Sequence, residues 1–265
     1  MKTNKSSSVS FSAAKSNFIN SLMLASLAAP GLALAEESPF SANISLVSDY
    51  LFRGVSQTGT KPAIQGGFDY AHDSGLYAGA WASNISWLSD FGVATNASFE
   101  LDTYLGFGGS ITEDVSYDVG VLRYNYPGEY GTATKADTTE VYGAIGWKWL
   151  AAKYSYSLGD TFGNADAKGS NYLEIGASYE LPDTGVVLGA HYGKQTYKGP
   201  ASVGVTSLTD PSYSDYSVSA AKDFSGYEVG LTYSSTNIES GGFYTDPQGN
   251  DLGKGKVVVS LSRAL

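Results

Sequence analysis

ASFELDTYLGF, residues 97–107, is written in a period of two. Phe99, Leu101, Thr103, Leu105 and Phe107 share one parity, and Ser98, Glu100, Asp102, Tyr104 and Gly106 share the other. Successive side chains on a strand point to opposite faces, so this stretch predicts a strand with one apolar and one polar face. The pattern recurs where Leu173, Ile175, Ala177, Tyr179 and Leu181 oppose Tyr172, Glu174, Gly176, Ser178 and Glu180. It recurs again where Tyr227, Val229, Leu231 and Tyr233 oppose Glu228, Gly230, Thr232 and Ser234. Twelve such segments can be traced, at 41–53, 62–72, 75–86, 95–107, 114–126, 138–149, 151–159, 170–181, 185–197, 213–223, 226–237 and 255–265. Most have the roughly 10 residues that a tilted strand needs to cross a bilayer.

The connections alternate in length. His72-Asp73-Ser74, Pro182-Asp183-Thr184 and Phe224-Ser225 are short links, whereas 54–61, 87–94, 127–137, 160–169, 198–212 and 238–254 are longer and rich in Gly, Ser, Thr, Asn, Asp and Pro. An even strand number, with short turns at one end and long loops at the other, predicts an all-β fold: a transmembrane antiparallel up-and-down barrel of about twelve strands, with short periplasmic turns and long extracellular loops. A soluble β-sandwich also has period two, but nothing in its construction sorts loops by length. Aromatic residues support a bilayer setting. Tyr70, Tyr117, Trp147, Trp149, Tyr154, Tyr179 and Tyr227 are expected near the short-turn end, and Tyr50, Phe52, Tyr192, Tyr216 and Tyr233 near the long-loop end.

Residues 1–35 read as a cleaved secretory signal peptide: Lys2, Lys5 and Lys15, then an apolar stretch to Leu34, then Ala33-Leu34-Ala35. Residues 36–265 are then one barrel domain. Without the three leader lysines, the 16 basic residues fall to 13 against 26 acids, an acidic balance that argues against a nucleic-acid partner. The absence of Cys excludes disulfides and thiol chemistry, and two histidines leave little material for a metal site. No metal and no cofactor are expected.

Four stretches, in order, resemble a known family: FRGVSQTGTKPAIQGGFDY (52–70), GLYAGAWASNI (75–85), DVGVLRYNYPG (118–128) and KVVVSLSRAL (256–265). Together they resemble the TorF-like porins, proteobacterial outer-membrane proteins of unknown function. The family pattern G-x-Y-x-G-x-W-x-S-N falls on Gly75, Tyr77, Gly79, Trp81, Ser83 and Asn84. The resemblance implies an outer-membrane barrel for diffusion of small solutes and brings no catalytic residues. The last strand of such proteins usually ends in Phe; here it ends in Leu265.

If the apolar parity faces lipid, the other parity lines a lumen, because a charge at mid-membrane on the lipid face costs about 2–4 kcal/mol. The expected lining acids are Asp49, Asp69, Glu100, Asp102, Asp118, Glu140, Glu174, Glu180 and Glu228. The expected bases are Arg53, Lys148, Lys153 and Lys256, with Tyr104 and His191 beside them. Glu129, Asp160, Asp166, Asp210, Asp215, Glu239 and Asp246 are expected around the outer mouth. An acidic lumen concentrates cations, so the reading is a cation-preferring porin and not an enzyme. The alternative is a non-conducting barrel whose internal charges plug it, with a structural or surface-binding role. A barrel enzyme such as a lipase stands third, since His72-Asp73-Ser74 has an H-x-S form but lies in a turn. The expected partners are outer-membrane lipid and lipopolysaccharide, the barrel-assembly machinery, and small solutes or ions.

Expressed in a Gram-negative host, the full chain should fractionate with the outer membrane without residues 1–35 and migrate differently in detergent gels before and after boiling. A natively folded soluble periplasmic product would contradict the barrel reading.

Overall fold

The computed structural model describes residues 38–199 and 210–265; the predicted signal peptide lies outside the described residues. The elements in chain order are β1 (Phe40–Val47), β2 (Leu51–Phe52), β3 (Val55–Ser56), β4 (Ala63–Ala71), β5 (Leu76–Asn84), α1 (Trp87–Asp90), β6 (Phe99–Ser110), β7 (Val115–Asn125), β8 (Thr138–Trp147), β9 (Leu150–Ser157), β10 (Asn171–Leu181), β11 (Val186–Thr196), β12 (Tyr213–Asp223), β13 (Glu228–Thr236) and β14 (Lys256–Ala264). Twelve of these strands form one closed antiparallel barrel in the order β1-β14-β13-β12-β11-β10-β9-β8-β7-β6-β5-β4. Every barrel strand pairs with its neighbours in sequence. The barrel closes where the first strand, β1, pairs with the last, β14, Asn43 opposite Ala264 and Val47 opposite Ser260. Among the described residues no helix is long and apolar enough to cross a membrane.

Burial is inverted relative to a water-soluble protein. On β6, Leu105 is 54% exposed while its near neighbour Glu100 is fully buried. Ile64, Phe68, Val121, Ile145, Ile175, Val218, Leu231 and Val259 likewise face out, and Gln65, Ser83, Glu140, Ser155 and Ser262 face in. Period-two alternation thus wraps a polar interior in an apolar belt, which is the arrangement of a barrel in lipid. The short connections 72–75, 111–114, 148–149, 182–185 and 224–227 lie at one end, with the start of β1 and the end of β14; the described parts of the long ones lie at the other. Tyr154, Tyr179, Tyr227, Trp147 and Trp149 are outward and exposed toward the short-turn end, and Tyr192, Tyr216 and Tyr233 toward the long-loop end.

The first predicted segment, 41–53, does not run its full length in the wall. β1 ends at Val47, and the chain turns into the barrel to form the small β2–β3 hairpin. Its tip, Arg53-Gly54, has φ of 48° and 80°, the two positive values of a tight hairpin turn. A Cβ on Gly54 would sit 2.8 Å from Asp215 Cβ and from Thr236 Cγ2, so the tip crosses the lumen to the β12–β13 wall. Tyr50 and Phe52, expected in the outer aromatic girdle, go inward with this segment; Tyr50 is buried and meets Trp81 at 5.4 Å between ring centroids.

The alternating stretch Gly75, Tyr77, Gly79, Trp81, Ser83 is an inward-face code. Gly75 has φ of 95° in the 72–75 turn, and Tyr77, Gly79, Trp81 and Ser83 follow along the inner face of β5. Tyr77 lies over Gly106 of the paired strand, where any Cβ would collide with its ring; Gly79 leaves the same space for Tyr104. Asn84 Oδ1 ends the strand by accepting from the Ile64 amide at 2.8 Å.

Leu105→Lys should cost about 2–4 kcal/mol of barrel stability and reduce assembled protein, whereas Thr232→Ser, inside, should not. Deleting residues 256–265 removes β14 and leaves open edges on β1 and β13, so no heat-modifiable species should form. Normal assembly of either Leu105→Lys or the truncation would contradict the inside–outside assignment.

Candidate functional site

The hairpin carries Arg53 to the middle of the long-loop half of the lumen. Its guanidinium donates to both carboxylate oxygens of Glu140, at 2.7 and 3.2 Å, and to Gln195 Oε1 at 2.6 Å. It stacks over Tyr172, 4.2 Å from the ring centroid, and lies 4.8 Å from that of Phe52. The forked guanidinium fits a carboxylate edge-on while its plane lies on a ring, a pair of contacts that a lysine cannot reproduce. Both side chains of the Arg53–Glu140 pair are almost fully buried, 7% and 1% exposed. The hairpin base is tied by Asp49, which accepts from Ser56 Oγ (2.6 Å), Thr58 Oγ1 (3.1 Å) and Lys256 Nζ (3.1 Å).

Around Arg53 the acids are held by tyrosines. Tyr50 and Tyr126 donate to the two oxygens of Glu100 at 3.2 and 3.0 Å, and Tyr124 donates to Glu140 at 3.4 Å. Tyr172 donates to Asp215 at 2.9 Å, and His191 Nε2 lies 2.9 Å from both Tyr172 Oη and Asp215 Oδ1. Lys153 reaches over the Tyr142 ring, 4.3 Å from its centroid. Nearer the short-turn end, Tyr77 donates to Asp118 at 2.6 Å and touches Tyr142, while Tyr104 donates to Asp69. Beneath the hairpin these groups enclose a cavity of about 170 Å³, lined among others by Arg53, Asp102, Tyr124, Lys153, Glu174, His191, Asp215 and Ser234.

Above the hairpin lies a second cavity, about 70 Å³, walled by Phe52, Trp87, Phe91, Tyr126, Phe162, Tyr197, Tyr213, Phe243 and Tyr244. The long loops build it. α1 supplies Trp87, the 158–170 loop Phe162 and Asn164, and the 237–255 loop Phe243, Tyr244 and Leu252. Burial pushes the Tyr197 hydroxyl up to about 12 and that of Tyr244 well above the usual phenol value, so both are neutral at physiological pH.

Of the expected lining residues, Asp49, Arg53, Glu100, Asp102, Glu140, Lys153, Glu174, His191 and Lys256 gather in the long-loop half. Asp69, Tyr104 and Asp118 face in between the middle and the short-turn end, and Glu228 and Glu180 keep the inward parity close to that end, where Glu180 is exposed. Lys148 does not face the lumen. It sits at φ 54° in the two-residue β8–β9 turn, pairs with Asp114 at 3.6 Å, and is exposed, because a strand pair must reverse there. Asp215, placed by sequence in the outer mouth, is instead on β12, inward and buried. Its parity with Ser217 and Ser219 was the signal. Tyr172 and Gln195 were missed although their parity also points in. Phe162 carries no such signal, since a loop brings it.

His72 Nδ1 and Ser74 Oγ lie 2.8 Å apart, but in an exposed turn where the Ser74 amide also points at Nδ1 (3.1 Å). Among the described residues no carboxylate orients the other ring nitrogen, and no group of three or more His, Asp or Glu is arranged to hold a metal ion. Asp246 is occupied within its own loop, accepting from the Gln248 and Asn250 amides at 3.0 and 2.8 Å.

Residues 34–265 match the model of a family described as "bacterial protein of unknown function (Gcw_chp)". The TorF-like name suggested by the motifs is not the one that matches. No curated protein matches the sequence. Solved structures with a similar outline include the NanC porin (TM-score 0.49, 9% identity, 84% of this chain and 98% of that one) and the KdgM porin (0.48, 6%, 84% and 98%). They also include the Salmonella typhi outer membrane phospholipase dimer with bound calcium (0.48, 13%, 85% and 90%). With TM-scores below 0.5, these likenesses carry no argument about this chain.

Glu140→Met should destabilise the folded barrel by about 3–5 kcal/mol, because Arg53 is left buried without its carboxylate. Arg53→Met combined with Glu140→Met should recover most of that loss. Denaturant unfolding of the refolded variants measures both, and additive losses in the double variant would contradict the pairing.

Proposed function

The chain belongs to the Gcw_chp family, whose description assigns no activity, and we propose that this member is an outer-membrane channel for passive diffusion of small polar solutes, preferring cations. The observation that carries the reading is the charge of the polar lumen. Asp102, Glu174 and Asp215 line the cavity beneath the hairpin against Arg53 and Lys153, and Asp49, Asp69, Asp118 and Glu228 also face in, with Lys256 beside Asp49; Glu100 and Glu140 face in but are sealed by tyrosines and Arg53. Inward acid excess within low-dielectric walls lowers the energy of cations and raises that of anions. The apolar belt supports a lipid setting, and the signal peptide read from residues 1–35 of the sequence would direct export to the outer membrane. Short turns, the start of β1 and the end of β14 then face the periplasm, the long loops face outside, and the lipid and lipopolysaccharide contacts lie on the belt.

The two halves of the lumen have different roles in this reading. Toward the short-turn end the inner faces carry small residues such as Ala144, Gly176, Gly189 and Ser260, and in this reading solutes approach from that side. The Arg53 hairpin sets the narrow point, and solutes are sorted there by size and charge. One observation favours the second reading, a non-conducting barrel. The hairpin and the aromatic loop residues pack tightly, Phe52 meeting Phe162 and Tyr124 at 5.3 and 5.5 Å between ring centroids.

Single-channel recording with reversal potentials in a KCl gradient tests the reading. The expected result is a small conductance with cation preference, stronger at low salt where the Debye length is longer. Asp102→Asn with Glu174→Gln, both on the cavity wall, should reduce the preference while the barrel still assembles. Arg53→Ala combined with Glu140→Gln, which leaves neither charge of the buried pair alone, should increase conductance. Anion preference overturns the selectivity, and silence from both wild type and this double variant, with heat-modifiable migration intact, favours the closed barrel.

A further inference from the structure

Glu174 and Lys153 stand opposite each other across the β9–β10 pairing, and both line the cavity beneath the hairpin. They are 9% and 8% exposed, and among the described residues neither makes a hydrogen bond. Nor do they close on each other: their charged atoms are more than 4.0 Å apart. Each leans away from the other. The Lys153 ammonium lies over the Tyr142 ring of β8, and Glu174 Oε2 is 3.7 Å from His191 Nδ1 of β11, beyond hydrogen-bond reach. In the strand order β8-β9-β10-β11 the pair is therefore splayed, base to one side and acid to the other. Both charged ends keep accessible surface, unlike Asp102 Oδ1 and His191 Nδ1, which are sealed. Inside a closed barrel that surface opens on the cavity the two side chains share.

The neighbouring charges on this wall are engaged. Arg53 holds Glu140 and Gln195, and Asp215 accepts from Tyr172 and lies 2.9 Å from His191 Nε2. Asp102, with one oxygen sealed, stands on β6, away from the pair. A buried carboxylate and a buried ammonium that each lack a hydrogen bond are costly, so the cavity favours an occupant that brings both donors and an acceptor. A simple cation gains at Glu174 and loses at Lys153, and a simple anion does the reverse. A molecule with an ammonium and a carboxylate on neighbouring atoms gains at both. The cavity, about 170 Å³, has room for a small one. We propose that the splayed Glu174–Lys153 pair is a binding subsite for a small zwitterion of the α-amino acid class, its ammonium on Glu174 and its carboxylate on Lys153. The inference names the solute of the channel and rests on that reading for the solute's passage, but not for its binding.

The test is calorimetric titration of the refolded full chain in detergent, with empty micelles as the blank. The probes are alanine, ethylamine, which is alanine without its carboxylate, and propionate, which is alanine without its ammonium. Alanine should bind at least about 10-fold more tightly than either, since each analogue loses one charged hydrogen bond and meets one like charge. Glu174→Gln should weaken alanine by a similar factor and tighten propionate. Lys153→Gln should weaken alanine and tighten ethylamine. A merely structural loss would weaken all three probes together. Ethylamine or propionate binding as tightly as alanine overturns the proposal, as does alanine affinity unchanged in both variants or no alanine binding to wild type. If a variant does not fold, as judged by heat-modifiable migration, alanine against its two analogues on wild type decides alone. Alanine binding without conductance leaves this subsite standing and removes the channel reading; conductance without alanine binding does the reverse.

Discussion

A sheet in hydrocarbon has no water to satisfy its edges, so every backbone N–H and C=O of a spanning strand must find a partner in the chain. That constraint fixes most of what is seen here. The β1–β14 pairing is the seam that removes both edges, and it joins the two ends of a chain whose strands otherwise pair only with neighbours in sequence. Closure also forces two faces on every strand. One contacts lipid and must be apolar; the other is enclosed, and can carry Glu100 or Asp102 only because it is shielded from lipid.

Twelve strands leave an interior too wide for wall side chains to fill and too narrow to be an open aqueous pore without constriction. The chain fills part of it with its own first long loop. The β2–β3 hairpin is a foreign body in the lumen, held by charge and hydrogen bonding at Arg53 and Asp49 and by ring contacts at Phe52. Small residues make this possible. Gly54 lets the hairpin tip lie against the β12–β13 wall, and Gly106 lets Tyr77 lie flat on the neighbouring strand. The same economy of space recurs at Gly193, where a Cβ would collide with Tyr172, the ring on which Arg53 stacks.

The interior electrostatics are consequently not those of a lined tube. Glu100 and Glu140 are acids by sequence, yet both are sealed behind tyrosines or paired to Arg53. The charge that faces cavity space comes from residues such as Asp102, Glu174 and Asp215 on one side and Lys153 on the other. Two chambers of opposite chemistry, aromatic outside and ionic inside, are separated by one hairpin.

Strand number, strand faces and loop sorting were legible in the sequence, because alternation of period two is a local property: each residue reports its own face, and lipid on one side makes the contrast sharp. The inward places of Glu100, Asp102, Glu174 and His191 followed from parity alone, and so could that of Asp215 have done. Tertiary structure alone decided where strand 1 leaves the wall, that Arg53 pairs with Glu140, that Lys148 belongs to a turn, and that Phe162 and Trp87 wall the same cavity. Those outcomes depend on contacts between residues far apart in the chain, Arg53 with Glu140 and Gln195, Gly54 with Asp215, and no period in the sequence encodes which loop will fold inward to fill a space that only barrel closure creates.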